Sequence, residues 1–321
     1  MSKSMKVFPA LQYTMVKQKG FRRMAYKVDN AVIMAAGISS RFAPLSYEKP
    51  KALIPVKGEV LIERQINQIK KAGIEQIIVV VGYMKEQFEY LRGKYGVILL
   101  ENPKYQTRNN NSTIYAARDY LNNSYVCSAD NYFSKSPFER VVDESYYAAL
   151  FSPGYTKEWC MKEDKDGYIT DVQIGGSNAW YMFGHTFWSE EFSRRFLEIL
   201  LSEYDLPKTR PLYWEDILIA HLPELRMKIR KYADGEIYEF DTLDELRKFD
   251  STYLNDSRSL ILKDIASRLN CPEKDLTNFT PITDNNGRVA GVSFKSPKGH
   301  YKYFYSDKTL KEDKLCRKPA R

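Results

Sequence analysis

The sequence has no long apolar segment. None of its runs approaches the ~18–20 consecutive apolar residues that a membrane-spanning helix requires. The N-terminus also lacks the apolar stretch of a secretory signal peptide. We therefore expect a cytoplasmic protein without a transmembrane segment.

Cysteine is also scarce, and the positions of the cysteines argue against a metal site built from them. The four cysteines are scattered along the chain, and none has the short spacing of a metal-binding pair. We expect them to be reduced and mostly buried. They are Cys127, Cys160, Cys271 and Cys316.

Two familiar nucleotide-binding patterns, the Walker pattern and the three-glycine dinucleotide fingerprint, are missing as well. The chain instead has a loop of small residues, 35–40, directly after the apolar run 30–34, which is typical of a buried parallel strand. Such a loop leaves backbone N–H groups free to face phosphate oxygens, and Arg41 and Lys51 add positive charge. The segment therefore predicts a cradle for a polyphosphate.

The positive charge is concentrated at the two ends of the chain. The net charge is +8 at pH 7, but residues 1–27 hold seven Lys or Arg and no acid, and residues 295–321 hold nine against three acids. The long middle segment is therefore mildly acidic. Basic ends are most often solvated tails, with weak, non-specific attraction to anionic lipid or RNA as the alternative. We expect no specific nucleic-acid partner.

The order of apolar segments predicts an α/β fold. With 321 residues, 43% of them hydrophobic, the chain can bury a full core. Strand-like runs alternate with helical spacing up to about residue 129, which predicts a doubly wound, mostly parallel sheet. From Tyr146 to Phe187 the pattern becomes antiparallel, with four short strand-like runs at 146–151, 158–162, 168–174 and 179–187. Ligands bind beyond the carboxyl ends of parallel strands, where Gly37, Gly82 and Asp130 are expected.

One ordered set of residues resembles a family signature. Gly37, Arg41, Pro44-Leu45 and Pro50-Lys51, in a fixed span, resemble the signature of the sugar-phosphate nucleotidyltransferase superfamily. Many members have a second glycine where this chain has Ser39, and serine restricts the backbone more than glycine does. Later segments, Glu158-Trp159 and Leu212-Tyr213-Trp214, resemble the phosphocholine cytidylyltransferase branch. The resemblance covers about residues 29–252.

The resemblance implies nucleotidyl transfer, in which an acceptor phosphate attacks the α-phosphorus of a nucleoside triphosphate and pyrophosphate leaves. The protein then has to align the reactants and neutralise charge. Arg41 is expected to hold the leaving β- and γ-phosphates, and Lys51 to bridge the α-phosphate and the acceptor phosphate. The other loop residues expected to bind the nucleotide are Ala35, Ala36, Gly37, Ser39 and Ser40.

Two aspartates are expected to hold Mg²⁺ together. Asp130 ends the apolar run 125–129, and a hard cation there takes one or two carboxylates together with phosphate and water. It also matches the strand-ending Ala-Asp motif of the family. Asp241 is the second predicted ligand, and the alternative for it is a capping role at the helix after Thr242.

Base recognition is assigned to two loops. Gly82 and Tyr83 follow the second strand, and Asn109 and Asn110 precede a helix. Asparagine is also an ordinary loop and capping residue, so both roles stay open for these positions. The resemblance to cytidylyltransferases implies that the donor is CTP.

The acceptor site is assigned to aromatic and acidic side chains. Aromatic faces attract a quaternary ammonium by ~0.5–2 kcal/mol per ring, and carboxylates add charge. Such a cluster can equally be core packing, and the resemblance favours the binding role. The predicted acceptor residues are Trp159, Tyr213, Trp214, Glu215 and Asp216.

Three regions are predicted. Residues 1–27 form a basic N-terminal extension with one or two short helices, residues 28–254 the nucleotidyltransferase domain, and residues 255–321 a small α+β appendage. In the appendage we expect a helix at 260–269 and a β-hairpin of 291–294 and 301–304. The appendage faintly resembles the opening of the small lobe of choline-kinase-like phosphotransferases, as a remnant or a docking element. Too few residues follow it for a kinase catalytic loop, so we expect no kinase activity.

Three functional hypotheses follow. The first is a Mg²⁺-dependent enzyme that makes CDP-choline and pyrophosphate from CTP and phosphocholine. The nearest alternative keeps the fold and takes 2-aminoethylphosphonate or a sugar 1-phosphate as acceptor. The alternative of another class is a catalytically inactive binding or regulatory protein. The sequence leaves the oligomeric state open.

Overall fold

The computed structural model describes residues 14–15, 24–285 and 287–313. Its centre is a seven-stranded mixed sheet with the spatial order β7-β5-β6-β4-β1-β2-β3. The strands are β1 (Asn30–Ala35), β2 (Gln76–Val81), β3 (Ile98–Glu101), β4 (Ser124–Ser128), β5 (Tyr146–Glu163), β6 (Ile169–Trp188) and β7 (Lys228–Lys231).

The parallel part of the sheet is sandwiched between helices. β1 pairs in parallel with β2 and β4, and β2 pairs in parallel with β3. Successive side chains of a strand point to opposite faces. Ile33 accordingly packs in one cluster with Ile66, whereas Val32 packs in another with Ala117. The predicted doubly wound α/β fold is confirmed.

The helices of the structure range from four to fourteen residues. They are α1 (Leu45–Glu48), α2 (Leu61–Lys71), α3 (Tyr90–Tyr95), α4 (Asn111–Ala117), α5 (Glu190–Glu203), α6 (Trp214–Ala220), α7 (Leu243–Phe249), α8 (Thr252–Asn255) and α9 (Leu260–Leu269). α2 shows why they form: Ile62, Ile66 and Ile69 lie on one face and are fully buried.

The chain from Tyr146 to Phe187 forms antiparallel strands, as predicted. β5 and β6 form a long hairpin around Asp164, whose Oδ1 accepts the N–H groups of Asp166 and Tyr168, and β6 pairs antiparallel with β4. The four short strands predicted between residues 146 and 187 are two continuous ones with irregular register. β7, parallel to β5 at the sheet edge, was not predicted, because three of its four residues are Lys or Arg.

Short strands complete the fold outside the central sheet. Met24–Lys27 pairs with Val141–Val142, so the helices expected in residues 1–27 are wrong for this part, where a neighbouring strand supplies the backbone partners. Most of that extension lies outside the described residues. The other short strands are Thr14–Met15, Pro55–Val56, Glu59–Val60, Tyr132–Phe133 and Ile237–Tyr238.

After α8 the chain forms α9 and a four-stranded antiparallel sheet, which we call the C-terminal unit, residues 255–313. The predicted helix and hairpin are both present. The sheet strands are Thr277–Thr283, Val289–Ser296, Gly299–Phe304 and Leu310–Glu312. One hydrophobic cluster joins Leu262 and Phe294 of this unit to Phe42 and Ile54 of the first βα connection. The domain boundary at residue 254 stays a prediction.

Three of the four cysteines lie among the described residues. Cys127 and Cys160 are buried, Cys271 is half-buried, and all three are free, whereas Cys316 lies outside the described residues. No helix in the part of the chain that the structure describes has the length and apolarity to cross a membrane.

Candidate active site

Lys51 lies at the centre of a cluster of acidic side chains. It begins a 3₁₀ turn after Pro50, and its side chain is only 4% exposed. Its Nζ donates to Asp130 Oδ2 at 2.8 Å and lies 3.9 Å from both Glu239 Oε1 and Asp241 Oδ1. Residues from three distant parts of the sequence therefore meet at one ammonium group.

Charge and burial oppose each other in this cluster. Burial disfavours the charged ammonium, but the negative charges of Asp130, Glu239 and Asp241 outweigh it and raise the pKa of Lys51. The pKa of Glu239 is raised by the negative charge of Asp130 and then by burial. Lys51 is therefore a permanent cation at neutral pH.

Asp241 faces the cluster and does not cap the helix that follows it. The hydroxyl of Thr242 accepts the N–H of Glu245 and so caps α7. The Asp241 carboxylate pairs with Arg41, 2.7 Å from Oδ2 to Nη1, while the Arg41 side chain stays 72% exposed. The second of the two predicted metal ligands thus lies beside the same ammonium as the first.

A cavity of about 290 Å³ opens at the carboxyl ends of β1 and β4. Its walls include the predicted residues Ala35, Ala36, Gly37, Ser39, Asn109 and Asn110, together with Lys51 and Asp130. We call it the nucleotide pocket. The wall residues that sequence reasoning missed include Asn102, Tyr105, Arg108 and Thr113. Asn102 follows β3 directly, so the strand-end rule could have found it.

Ser39 adopts the backbone conformation that glycine would favour. Its φ of +51° and ψ of +49° lie in the left-handed region, where a non-glycine residue is strained. The strain falls at the position where many members of the resembled family have glycine.

Three of the predicted nucleotide residues, Ser40, Gly82 and Tyr83, are not among the described residues that line the nucleotide pocket. Gly82 lies behind residues of the pocket wall. A Cβ at Gly82 would lie 2.8 Å from the Tyr105 ring and 2.9 Å from the carbonyl oxygen of Ala36. The Tyr83 N–H donates to that same carbonyl oxygen. Both residues therefore lie against the Ala36 carbonyl of the loop, and their contact with the base stays a prediction.

The Gly82→Ala variant is expected to lose about 1–3 kcal/mol of stability, because the added methyl group must displace Tyr105 or the Ala36 carbonyl. The nucleotide pocket should open with it, so that KM for the nucleotide rises. Thermal denaturation and steady-state kinetics measure the two effects. Gly93→Ala is the matched control, since a Cβ at Gly93 meets nothing within 4 Å. Equal behaviour of the two variants would contradict the expectation.

A second cavity, of about 510 Å³, adjoins the first and shares Asn110, Ser128 and Tyr213 with it. We call it the acceptor pocket. Trp159 and Tyr213 form two walls, with ring centroids 5.9 Å apart and planes at 86°. Its other walls include Arg41, Tyr147, Glu158, Glu215, Glu239 and Asp241. The acidic cluster around Lys51 thus reaches both pockets.

Arg41 departs from its expected place. It was expected at the leaving phosphates of the nucleotide, but its side chain lines the acceptor pocket beside Asp241.

Two predicted acceptor residues, Trp214 and Asp216, are not among the described residues that line the acceptor pocket. Trp214 is 1% exposed and packs against Trp188 and Tyr147 in the core, because it lies on the inner face of α6. Asp216 Oδ2 accepts the backbone N–H of Tyr213 at the start of that helix. Both side chains have structural contacts in this position, and their contact with an acceptor stays a prediction.

Glu215 lines the acceptor pocket and is held by hydrogen bonds to both of its carboxyl oxygens. Its Oε1 accepts the Tyr147 hydroxyl at 3.1 Å, and its Oε2 accepts Asn110 Nδ2 at 3.1 Å. Burial raises the pKa of Glu215 to about 7, and these hydrogen bonds offset only part of that effect. The carboxyl group therefore changes charge near neutral pH.

The site combines a backbone cradle, a buried ammonium among carboxylates and an adjoining second pocket, and it lies on a Rossmann-like sheet. These features define the site of a nucleotidyltransferase. The chain belongs to the family of the MobA-like NTP transferase domain, whose model matches residues 31–231.

Named relatives agree with this class. The choline-phosphate cytidylyltransferase of Streptococcus pneumoniae is 34% identical over 227 residues, 71% of this chain and 99% of that protein. The 2-aminoethylphosphonate cytidylyltransferase of Lancefieldella rimae is 38% identical over 230 residues, 70% of this chain and 93% of that protein. Family membership favours an enzyme over an inactive binding protein.

Solved structures give the same fold. The structure of the CTP:phosphocholine cytidylyltransferase from S. pneumoniae matches with a TM-score of 0.66 and 35% identity, over 71% of this chain and 99% of that one. An inositol-1-phosphate CTP transferase from T. maritima matches with a TM-score of 0.53 at 16% identity, over 68% of this chain and 92% of that one.

Proposed function

We propose that this enzyme transfers a cytidylyl group from CTP to phosphocholine and releases pyrophosphate. One observation carries the proposal: the acidic cluster around Lys51 joins a nucleotide pocket to an acceptor pocket with aromatic walls and a carboxylate. The S. pneumoniae relative is a choline-phosphate cytidylyltransferase, and this activity supports CTP and phosphocholine as the substrates. A cytoplasmic location, where CTP is made and used, fits this activity.

Lys51 is the residue we assign to charge neutralisation at the reacting phosphates. It lines the nucleotide pocket and contacts acidic residues of the acceptor pocket, so its ammonium can reach oxygens on both substrates. Negative charge gathers on these oxygens as the acceptor attacks in line, and a buried cation there stabilises the transition state more than the ground state. Arg41, which lines the acceptor pocket, would hold the acceptor phosphate.

The residues present fit a divalent cation of the kind that this family generally uses. Asp130, Glu239 and Asp241 supply hard carboxyl oxygens close to one another, around the Lys51 ammonium. No three acidic, His or Cys side chains of the described residues are arranged around one shared metal position. We assign Mg²⁺ to Asp130 and Asp241, and when bound it would supply charge neutralisation at the α-phosphate.

The acceptor pocket favours a quaternary ammonium over a primary amine. Both oxygens of Glu215 already accept hydrogen bonds, from Tyr147 and Asn110. A trimethylammonium group donates no hydrogen bond and needs only nearby negative charge and aromatic faces, which Trp159 and Tyr213 supply. The amine of 2-aminoethylphosphonate needs hydrogen-bond acceptors, and each Glu215 oxygen has already used one of its two lone pairs.

A panel of donors and acceptors tests the proposed function directly. Pyrophosphate release is measured for CTP, UTP and dTTP with phosphocholine, 2-aminoethylphosphonate and a sugar 1-phosphate. CTP with phosphocholine should give the highest kcat/KM. A higher value with 2-aminoethylphosphonate would transfer the assignment to that acceptor, and no release with any pair would reject the proposal.

The Trp159→Ala variant is expected to raise KM for phosphocholine about 2–30-fold, the loss of one cation–π contact of ~0.5–2 kcal/mol. KM for CTP should stay nearly constant, because Trp159 does not belong to the described lining of the nucleotide pocket. Tyr155→Ala is the control, since that ring lies on the same strand and is 72% exposed. An unchanged KM for phosphocholine would show that the Trp159 ring does not contribute to acceptor binding.

The affinity for phosphocholine is expected to rise with pH through about 7. Below that pH Glu215 is protonated and neutral, and above it the carboxylate attracts the quaternary ammonium. The Glu215→Gln variant cannot make this transition. KM for phosphocholine should therefore fall with rising pH more steeply in the wild type than in the variant. The substrate phosphate also ionises, but this affects both proteins equally and cancels in the comparison. Parallel profiles would exclude Glu215 as the titrating group.

A further inference from the structure

The C-terminal unit contacts the backbone segment that carries Arg41 and Lys51. Its strand Thr277–Thr283 lies against the 3₁₀ turn Ser40–Phe42. Phe42 is 2% exposed and shares a hydrophobic cluster with Phe294 and Tyr303 of that unit. The turn that presents Arg41 is thus packed from behind by residues that follow the region matched by the family model.

Glu48 links the same segment to α9. Its Oε1 accepts the backbone N–H groups of Leu260 at 2.8 Å and Ile261 at 3.2 Å. These N–H groups begin a helix and have no partner within it, and a carboxylate is favourable at this end of the helix dipole. Glu48 precedes Lys51 by three residues, so the link bears directly on the catalytic turn.

An aromatic stack adds a third contact. The rings of Tyr47 and Tyr305 lie 4.0 Å apart with planes at 25°. The Tyr305 hydroxyl is buried without a hydrogen-bond partner in the described part of the chain. It is therefore the ring of Tyr305, and not its polar group, that makes this contact.

The two cations depend on their backbone for position. The exposed Arg41 side chain has Asp241 as its ion-pair partner, and Lys51 is fixed by carboxylates that belong to other elements. A displacement of about 1 Å at such groups can cost 10²-fold in rate. Whatever holds residues 40–51 in place therefore affects catalysis.

We propose that the C-terminal unit is a positioning element, which holds residues 40–51 so that Arg41 and Lys51 reach the phosphates together. Glu48 is the positioning residue of this contact. The inference rests on the proposed function for its effect on rate, but the position of the segment can be measured without any substrate.

The first experiment compares amide hydrogen exchange of residues 40–54 in the full-length wild type and in Glu48→Ala. Exchange in this segment should speed up by about tenfold or more in the variant, as expected for a lower free energy of local opening. Glu48→Gln, which keeps one acceptor oxygen, should lie between the two. Asp256→Asn, which alters an exposed ion pair of the same unit, should leave the segment unchanged. Unchanged exchange in Glu48→Ala would overturn the proposal.

The second experiment separates positioning from stability. At a temperature well below unfolding, Glu48→Ala should lower kcat about tenfold with KM for phosphocholine within twofold, as expected for misplaced cations. A purely stabilising contact would lower the melting temperature and leave kcat unchanged, which would also overturn the proposal. If Glu48→Ala does not fold, Tyr305→Leu tests the same contact, with Tyr305→Phe as its control. If the wild type turns over no acceptor, the proposed function fails and the exchange experiment still decides the inference.

Discussion

The Lys51→Gln variant is expected to lower kcat about 10²–10³-fold, the effect of removing one charge-stabilising donor worth ~2.7–4 kcal/mol in the transition state. The Lys51 ammonium is buried, its pKa is raised by three carboxylates, and it lines the nucleotide pocket. Glutamine keeps a hydrogen-bond donor but no charge. KM for CTP should change much less than kcat, because the charge matters most where negative charge develops.

Steady-state kinetics of purified variants measure this effect. Lys49→Gln is the matched control, since Lys49 is an exposed lysine two residues earlier in the chain. A melting curve shows whether the variant is folded. This is needed because the change removes the positive charge that lies beside Asp130, Glu239 and Asp241. A kcat within threefold of the wild type in a folded Lys51→Gln protein would exclude Lys51 from the reaction.

The second large effect is expected from Asp130→Asn. If Asp130 is a ligand of the divalent cation, its loss removes several kcal/mol of charge stabilisation, so kcat should fall ~10²-fold or more. The variant should also require more Mg²⁺ for half-maximal rate, since one anionic ligand is replaced by a neutral amide. Asp241→Asn should behave similarly, with an additional effect on Arg41, its ion-pair partner.

Metal titrations check the assignment in two ways. Rates are measured against Mg²⁺ concentration, and binding of Mn²⁺ to the CTP-loaded protein is followed by calorimetry, which does not require turnover. Asp119→Asn, at a side chain that is 78% exposed, serves as the control. Wild-type metal dependence in Asp130→Asn would place the cation on other residues.

The parallel half of the fold could be predicted because its signal is local. Buried parallel strands are continuous apolar runs, as at Ile77–Val81, and such runs stand out in the sequence. The antiparallel half carries a weaker signal. β5 and β6 leave the core in their middle, where Tyr155 and Ile174 are more than 70% exposed, so their apolar pattern is interrupted although the backbone pairing continues. The basic edge strand β7 gave no apolar signal at all.

The site was predictable where a residue follows a core strand or belongs to the resembled signature. Asp130 follows an apolar run, Lys51 belongs to the signature, and the structure brings them together. Trp214 could not be placed in this way, because which face of α6 is inward depends on packing against β5 and β6. Glu239 was missed although it lies two residues before Asp241, a spacing that puts both side chains on one side of an extended segment.

The shared wall between the two pockets has a consequence for turnover. Asn110, Ser128 and Tyr213 belong to both cavities, so the nucleotide and the acceptor lie in one continuous trench. The product of the proposed reaction is a single molecule with one end in each cavity. It loses overall translational and rotational freedom only once on binding, whereas the two substrates together lose it twice. We therefore expect the finished conjugate to bind more tightly than either substrate alone, so that it inhibits turnover as it accumulates.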